Sequence, residues 1–271
     1  MRNSFKTMLI LALGAGMASL SSCSEDEGND TDPMVPEAIV CYPTTVTETS
    51  DGETITTTYE YNAENQLTTS SYVDGSFTST TTYAYTAGNL TTATTGTEIS
   101  TFVYADGGTY PTRINTSEDG EPSYFSVITT TDGNVTKIEN SYYDENDNAI
   151  LEDVTTLTYE NGMLTGAKTE AYDPDTETFE TELELRDIVL DGKKAPFNQN
   201  FAFAFEQEFN PVILVAQNVL SANLIGELEG EEIKLPYTGT YTYNDNNYPV
   251  TSTQSISGFF NTDFTYEYNC K

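Results

Sequence analysis

The chemistry open to this chain is set first by the side chains it lacks. No histidine occurs among its 271 residues, so Ser-His-Asp and Cys-His nucleophile pairs and His-ligated zinc centres are excluded. No glycine-rich phosphate loop is present either. Carboxylates are plentiful, with 43 Asp and Glu, and two of them at a fixed separation suffice for glycoside hydrolysis. No pair stands out by its spacing, and most acids are expected on solvated strand faces and in turns. The absence of tryptophan removes the commonest sugar-stacking side chain, although tyrosine also offers a ring face. The chain therefore reads as a non-enzyme without a cofactor, and a carboxylate-based glycoside hydrolase ranks behind the binding and structural readings below.

Two further constellations bear on function. Asp144-Glu145-Asn146-Asp147-Asn148 opens like a calcium loop, but Ala149 stands where the glycine belongs and Thr155 where the closing glutamate belongs. With Asp173-Pro174-Asp175 it is read as an acidic hairpin turn, and no metal ligand is assigned. Tyr59, Tyr61, Tyr83, Tyr85, Tyr241 and Tyr243 fall in Tyr-x-Tyr pairs. Exposed, they would form a ladder able to stack on glycan rings or a protein partner. Turned inward, they would be ordinary cross-strand packing pairs.

These side chains must be positioned by something outside the cytoplasm. Residues 1–22 have the form of a signal peptide: basic Arg2 and Lys6, an apolar stretch around Met8–Leu13, then Leu20-Ser21-Ser22 before Cys23. Cys23 is expected to carry lipid, and acyl chains anchor at about 0.8 kcal/mol per buried methylene. Of the 10 basic and 43 acidic residues, Arg2 and Lys6 leave with the leader, so the mature formal charge is −35. Such a surface repels nucleic acid and anionic headgroups. Residues 23–38 are read as an acidic disordered tether, whose stretch from Ser24 to Pro33 is free of large apolar side chains. Cys41 and Cys270 remain; an oxidising compartment favours their pairing as a disulfide over two free thiols.

From 39 to 271 the composition is that of strands, read as a single β-rich domain. A degenerate unit recurs: Tyr59-Glu60-Tyr61 to Leu67-Thr68, Tyr83-Ala84-Tyr85 to Leu90-Thr91, and Tyr241-Thr242-Tyr243 to Pro249-Val250, with looser copies between. Each reads strand, tight polar turn, strand. The expected fold is mainly β, a large curved or rolled antiparallel sheet of repeated hairpins. One short helix is expected at about 211–225, opened by the Asn210-Pro211 cap signal and closed at Gly226. Phe197, Phe201, Phe205 and Phe209 also recur at helical spacing, while Phe201, Phe203 and Phe205 alternate as in a strand, and periodicity leaves that stretch open.

The Tyr-x-Tyr-[Asn/Asp]…Leu-Thr units resemble the tyrosine–aspartate (YD) repeats of Rhs-type shells. More closely, they resemble repeat-bearing surface lipoproteins of the Bacteroidetes, a group without an assigned activity. Asp191-Gly192-Lys193-Lys194-Ala195-Pro196-Phe197 looks like an element those proteins carry, with Ala195 departing from its asparagine. Ser24 and the acids after Cys23 resemble the group's surface-export signal. The resemblance implies a lipid-anchored outer-membrane protein at the cell surface, with the periplasmic face as the alternative. The leading functional expectation is a surface module binding a glycan or a protein; the rival is a structural or assembly component of an outer-membrane complex.

Overall fold

A computed structural model of the chain describes residues 39–197, 201–206, 217–228 and 231–271; the leader, Cys23 and the tether lie outside them. The strands are β1 (Cys41–Ser50), β2 (Glu53–Tyr61), β3 (Leu67–Asp74), β4 (Phe77–Thr86), β5 (Asn89–Thr95), β6 (Glu98–Tyr104), β7 (Pro111–Glu118) and β8 (Glu121–Thr131). They continue as β9 (Asn134–Tyr143), β10 (Ala149–Glu160), β11 (Met163–Asp173), β12 (Thr178–Lys194), β13 (Gln217–Leu228), β14 (Glu231–Tyr243), β15 (Pro249–Ile256) and β16 (Phe260–Cys270). Each strand pairs with the next, and β1 pairs with β16, so the expected rolled sheet closes into a 16-strand antiparallel barrel. Closure removes both sheet edges. One helix, α1 (Phe201–Glu206), lies between β12 and β13.

Of the expected helix at 211–225, the part from residue 217 on is strand. Residues 217–225 belong to β13, paired with β12 and β14, and 211–216 lie outside the described residues. Val219, Ala222 and Leu224 are buried in a segment hydrogen-bonded on both sides, and two ladders outweigh a helical spacing of apolar residues. The helix uses Phe-Ala-Phe-Ala-Phe-Glu instead. Ala202, Phe203 and Ala204 are buried, and a helix apolar all round belongs inside. Its rings and that of Phe197 fill the lumen against the wall: Phe203 lies 5.1 Å from Tyr59, Phe205 4.9 Å from Phe102, Phe201 5.8 Å from Tyr110, and Phe197 6.5 Å from Tyr266. The segment plugs the end of the barrel that holds Cys41 and Cys270, here termed proximal.

The repeated unit has a physical explanation at that end. In five hairpins a register break leaves one extra residue, a threonine, in the second strand: Thr68, Thr91, Thr112, Thr136 and Thr165. Each hydroxyl donates to a carbonyl of the partner strand, at 3.1–3.3 Å, to Glu60, Ala84, Val103, Thr129 and Thr158 respectively. A bulge interrupts the ladder, and the threonine supplies the hydrogen bond that the ladder loses. The residue before it is buried: Leu67, Leu90, Val135 and Leu164 each have 2% exposure or less. The repeat's Leu-Thr thus encodes a core anchor followed by a bulge cap. Thr91→Val should lower stability by about 1 kcal/mol, read as a shift of the urea midpoint at unchanged slope.

The turns repeat as well. Asn62–Gln66, Asp144–Asn148 and Asn244–Tyr248 share one five-residue form. In each, the first residue's side-chain oxygen accepts the N–H groups two and four residues on, and the fourth residue has positive φ. Asn and Asp tolerate that conformation and make these turn bonds. Asp144 is held below the usual carboxylate range by the Asn148 and Asn146 donors around it. Its oxygens serve the turn.

Pleat alternation divides the side chains into two sets. Inward go Tyr59, Leu67, Tyr83, Leu90, Phe102, Ile114, Ile138, Leu157, Leu185, Tyr237 and Phe264, all buried. Outward rows mix polar residues with exposed Val73, Ile99, Val103 and Leu220. Thr242, Thr251, Thr265, Thr47 and Thr56 are successive lateral partners on β14, β15, β16, β1 and β2. On the opposite wall Lys137, Thr156, Lys168 and Glu184 do the same across β9 to β12. Lys137, Lys168 and Arg186 pair with Glu139, Glu170 and Glu184.

Candidate functional site

The six tyrosines singled out in the sequence face the lumen, not the outside. They share the pleat face of Leu67 and Leu90, and burying that face turns the Thr-x-Thr face to solvent. Tyr59 and Tyr83 are each 6% exposed, while Tyr61 and Tyr85 pack partly buried against the same core. An external stacking ladder from these side chains is therefore replaced by an internal wall.

Tyr241 and Tyr243 serve a separate cluster at the strand-to-plug junction. Asp191 accepts hydrogen bonds from the Lys193 and Asn218 backbone N–H groups, from Asn218 Nδ2 at 2.9 Å and from the Tyr243 hydroxyl. Lys193 Nζ sits 3.7 Å from the Tyr243 ring centroid and Lys194 Nζ 4.8 Å from that of Tyr248, both cation–π contacts. Ala195 and Phe197 follow into the core at 0% and 5% exposure. The Asp191–Phe197 element is thus a fastening for the plug. Tyr241 donates to the Val219 carbonyl at 3.1 Å.

Tyr59, Tyr61 and Tyr83 converge on a residue that sequence reasoning missed, Glu206. It ends α1, and the signal available was an acid closing the run Phe-Ala-Phe-Ala-Phe. Ser70 and Tyr83 hydroxyls hydrogen-bond to its carboxyl group, yet Oε2 is fully buried and has no hydrogen-bond partner among the described residues. Burial pushes this carboxyl up to about 7, against which the two hydroxyl bonds act. Tyr59, Tyr61 and Tyr83 are in turn raised, first by burial and then by the Glu206 charge. Ser70 and Tyr83 also lie 3.3 Å apart, oxygen to oxygen.

Above this layer polar inward positions join apolar ones such as Tyr237, Ile256 and Phe264. Ser70, Ser100, Thr116, Ser126, Ser252 and Gln254 are buried, and Ser100 and Thr116 pair at 2.7 Å. Asp153 accepts from Asn140 Nδ2 at 2.9 Å and is pushed by burial up to about 6. Among the described residues no group of three or more His, Cys, Asp or Glu is placed to hold a metal ion.

The distal mouth, opposite the termini, carries exposed rings. Phe77 opens β4 at 62% exposure, Phe259 sits in the β15–β16 turn at 55%, and Phe179 starts β12 at 48%. Tyr72 lies 6.2 Å from Phe77 and Tyr172 5.1 Å from Phe179. Tyr124 and Tyr142, lateral partners near the same end, are also exposed. Composition gave no means of telling these rings from the buried ones.

No protein-family model matches the chain, and no curated protein matches it. Among solved structures it is similar to a porin-like protein from Bacteroides uniformis, at 15% identity and a TM-score of 0.53, over 88% of this chain and 98% of that one. A porin-like protein from Bacteroides vulgatus gives 13% identity and a TM-score of 0.57, over 85% and 99%. At these identities the likeness is one of fold: a closed β-barrel.

Proposed function

We propose that this chain is a cell-envelope lipoprotein of the Bacteroidetes surface type, built on degenerate YD-like hairpins. It acts there as a non-enzymatic binding module for a glycan or a protein. The observation that carries the reading is the placement of Phe77, Phe179 and Phe259. These large rings stand exposed around the barrel end farthest from residue 39, where the tether would enter. Large exposed rings gathered at one end of a barrel mark a contact surface. Lipid on Cys23 and the acidic segment 24–38 would hold the proximal end toward the membrane, leaving the mouth outward. Phenylalanine, which offers a ring without a hydroxyl, favours a protein partner over a sugar among the two ligand classes.

Isothermal titration of the mature chain against glycan and extracellular-protein panels tests the reading. A ligand is expected whose affinity falls at least about tenfold in Phe77→Ala/Phe259→Ala, with the circular dichroism unchanged. No binding in either panel would sink it. The assembly-component reading would instead give a fixed membrane-protein partner co-purifying at constant stoichiometry, unaffected by the mouth substitutions.

A further inference from the structure

We infer that the distal mouth takes a protein with a basic face, whose lysine or arginine side chains lie on the exposed phenylalanines and meet the acids beside them; this rests on the reading of the mouth as a contact surface. The first observation is that ring and acid recur together around the rim. Phe77 and Asp74 are the last lateral partners of β3 and β4, so the pleat turns both side chains to one face. Phe179 follows the β11–β12 turn, whose Asp175 and Glu177 are exposed. Phe259 lies in the β15–β16 turn, and the β1–β2 turn, on the strand paired with β16, carries exposed Asp51 and Glu53.

The second observation is the uneven placement of charge along the barrel. Among the described residues, no turn at the distal end holds a lysine or an arginine. Lys193 and Lys194 lie on Tyr243 and Tyr248 at the proximal end, where Lys271 also reaches Asn65. Lys137, Lys168 and Arg186 pair with glutamates on the wall, and Lys234, the fourth residue of β14, lies 3.8 Å from Asp187. The rim's negative field is therefore left uncompensated by its own turns, and it attracts and orients a basic surface.

The rings set how such a surface is held. Lysine and arginine lay their aliphatic stems along apolar surface and place their charge over a ring or against a carboxylate. The chain does this with its own cations: Arg113 sits 3.7 Å from the Phe125 ring centroid and Lys193 3.7 Å from that of Tyr243. At the mouth the rings and acids are present, and the cation is the partner's to bring. The occupant must also be wide. The three ring-and-acid points stand at the β3–β4, β11–β12 and β15–β16 turns, and among the described residues no three acids converge to hold a metal ion. A small cation reaches one such point at a time; a protein face spans them.

Panning a random-peptide library on the mature barrel at about 0.15 M salt tests the inference. Sequences that also bind Phe77→Ala/Phe259→Ala are discarded, which removes peptides drawn only by the barrel's overall negative charge. The peptides that remain are expected to be rich in lysine and arginine interleaved with apolar residues. A synthetic copy of one is expected to bind Asp51→Asn/Glu53→Gln/Asp74→Asn/Asp175→Asn/Glu177→Gln at least about tenfold more weakly. Its affinity for the native chain is expected to fall steeply between about 0.1 and 0.5 M salt. Ring-dependent peptides without a basic excess, or with an affinity that neither the amides nor salt change, overturn the basic partner and leave the mouth a contact surface. No ring-dependent peptide at all also overturns it; the mouth reading then survives only if a glycan binds and needs the same phenylalanines. Should the amide variant fail to fold, the salt dependence of the native chain decides alone.

Discussion

The Cys41→Ser/Cys270→Ser chain is expected to lose about 4–5 kcal/mol of stability relative to the oxidised protein. The bridge joins residues 229 apart in sequence, and cross-linking so long a loop restricts the unfolded chain strongly. Its position in the barrel adds to the effect. Every strand pairing but one joins neighbours in the chain; β1 with β16 is the exception. Cys41 and Cys270 are direct partners in that pairing, and Val40 and Lys271 extend it with two backbone hydrogen bonds of 2.9 Å each. Without the bridge, closure must be won by ladder bonds alone against the full loop entropy. Urea unfolding with and without reductant measures the loss. Amide exchange should show protection falling first in β1 and β16, and uniform loss across all strands would contradict this account of the seam.

The second large effect follows from Glu206. Its carboxyl titrates near 7 in the folded barrel against an ordinary 4.5. The folded state therefore holds a proton that the unfolded chain releases between those values. The stability Glu206 contributes is full below about pH 4.5 and declines as pH rises to about 7, about 3 kcal/mol being lost across that window. Asp153, raised to about 6, acts in the same direction over a lower range. The barrel should accordingly melt at higher temperature at pH 5 than at pH 8. Glu206→Gln should raise the pH 8 melting temperature and shrink the difference between the two pH values. A wild-type melting temperature that rises with pH over this range would contradict the burial of an unpaired carboxyl.

Much of the architecture was readable because hairpin chemistry is local. Asp51-Gly52, Ala87-Gly88, Asp132-Gly133 and Asn161-Gly162 all have positive φ at both positions, as two-residue hairpin turns require. The Cys41–Cys270 bridge followed from compartment and counting. What the residues could not convey was closure and facing. Period-two alternation separates Tyr-x-Tyr from Thr-x-Thr but does not say which set is inside until the sheet rolls up. The Leu-Thr signature was visible as a repeat, while its role as a bulge cap depends on the partner strand's carbonyl. The misplaced helix has the same origin: an apolar run between two ladders carries both periods, and the neighbours choose. Glu206 was hidden because one acid among 43 gains meaning only from the tyrosines that surround it.

The measurement that tests the binding reading most directly is photo-crosslinking on living cells. A benzophenone side chain would replace Phe77 at the mouth in one strain and Lys271 at the proximal end in another. A discrete adduct from position 77, absent from position 271 and abolished by Phe259→Ala, is the predicted result. No adduct at position 77, or the same adduct from both positions, would contradict a binding surface at the distal mouth.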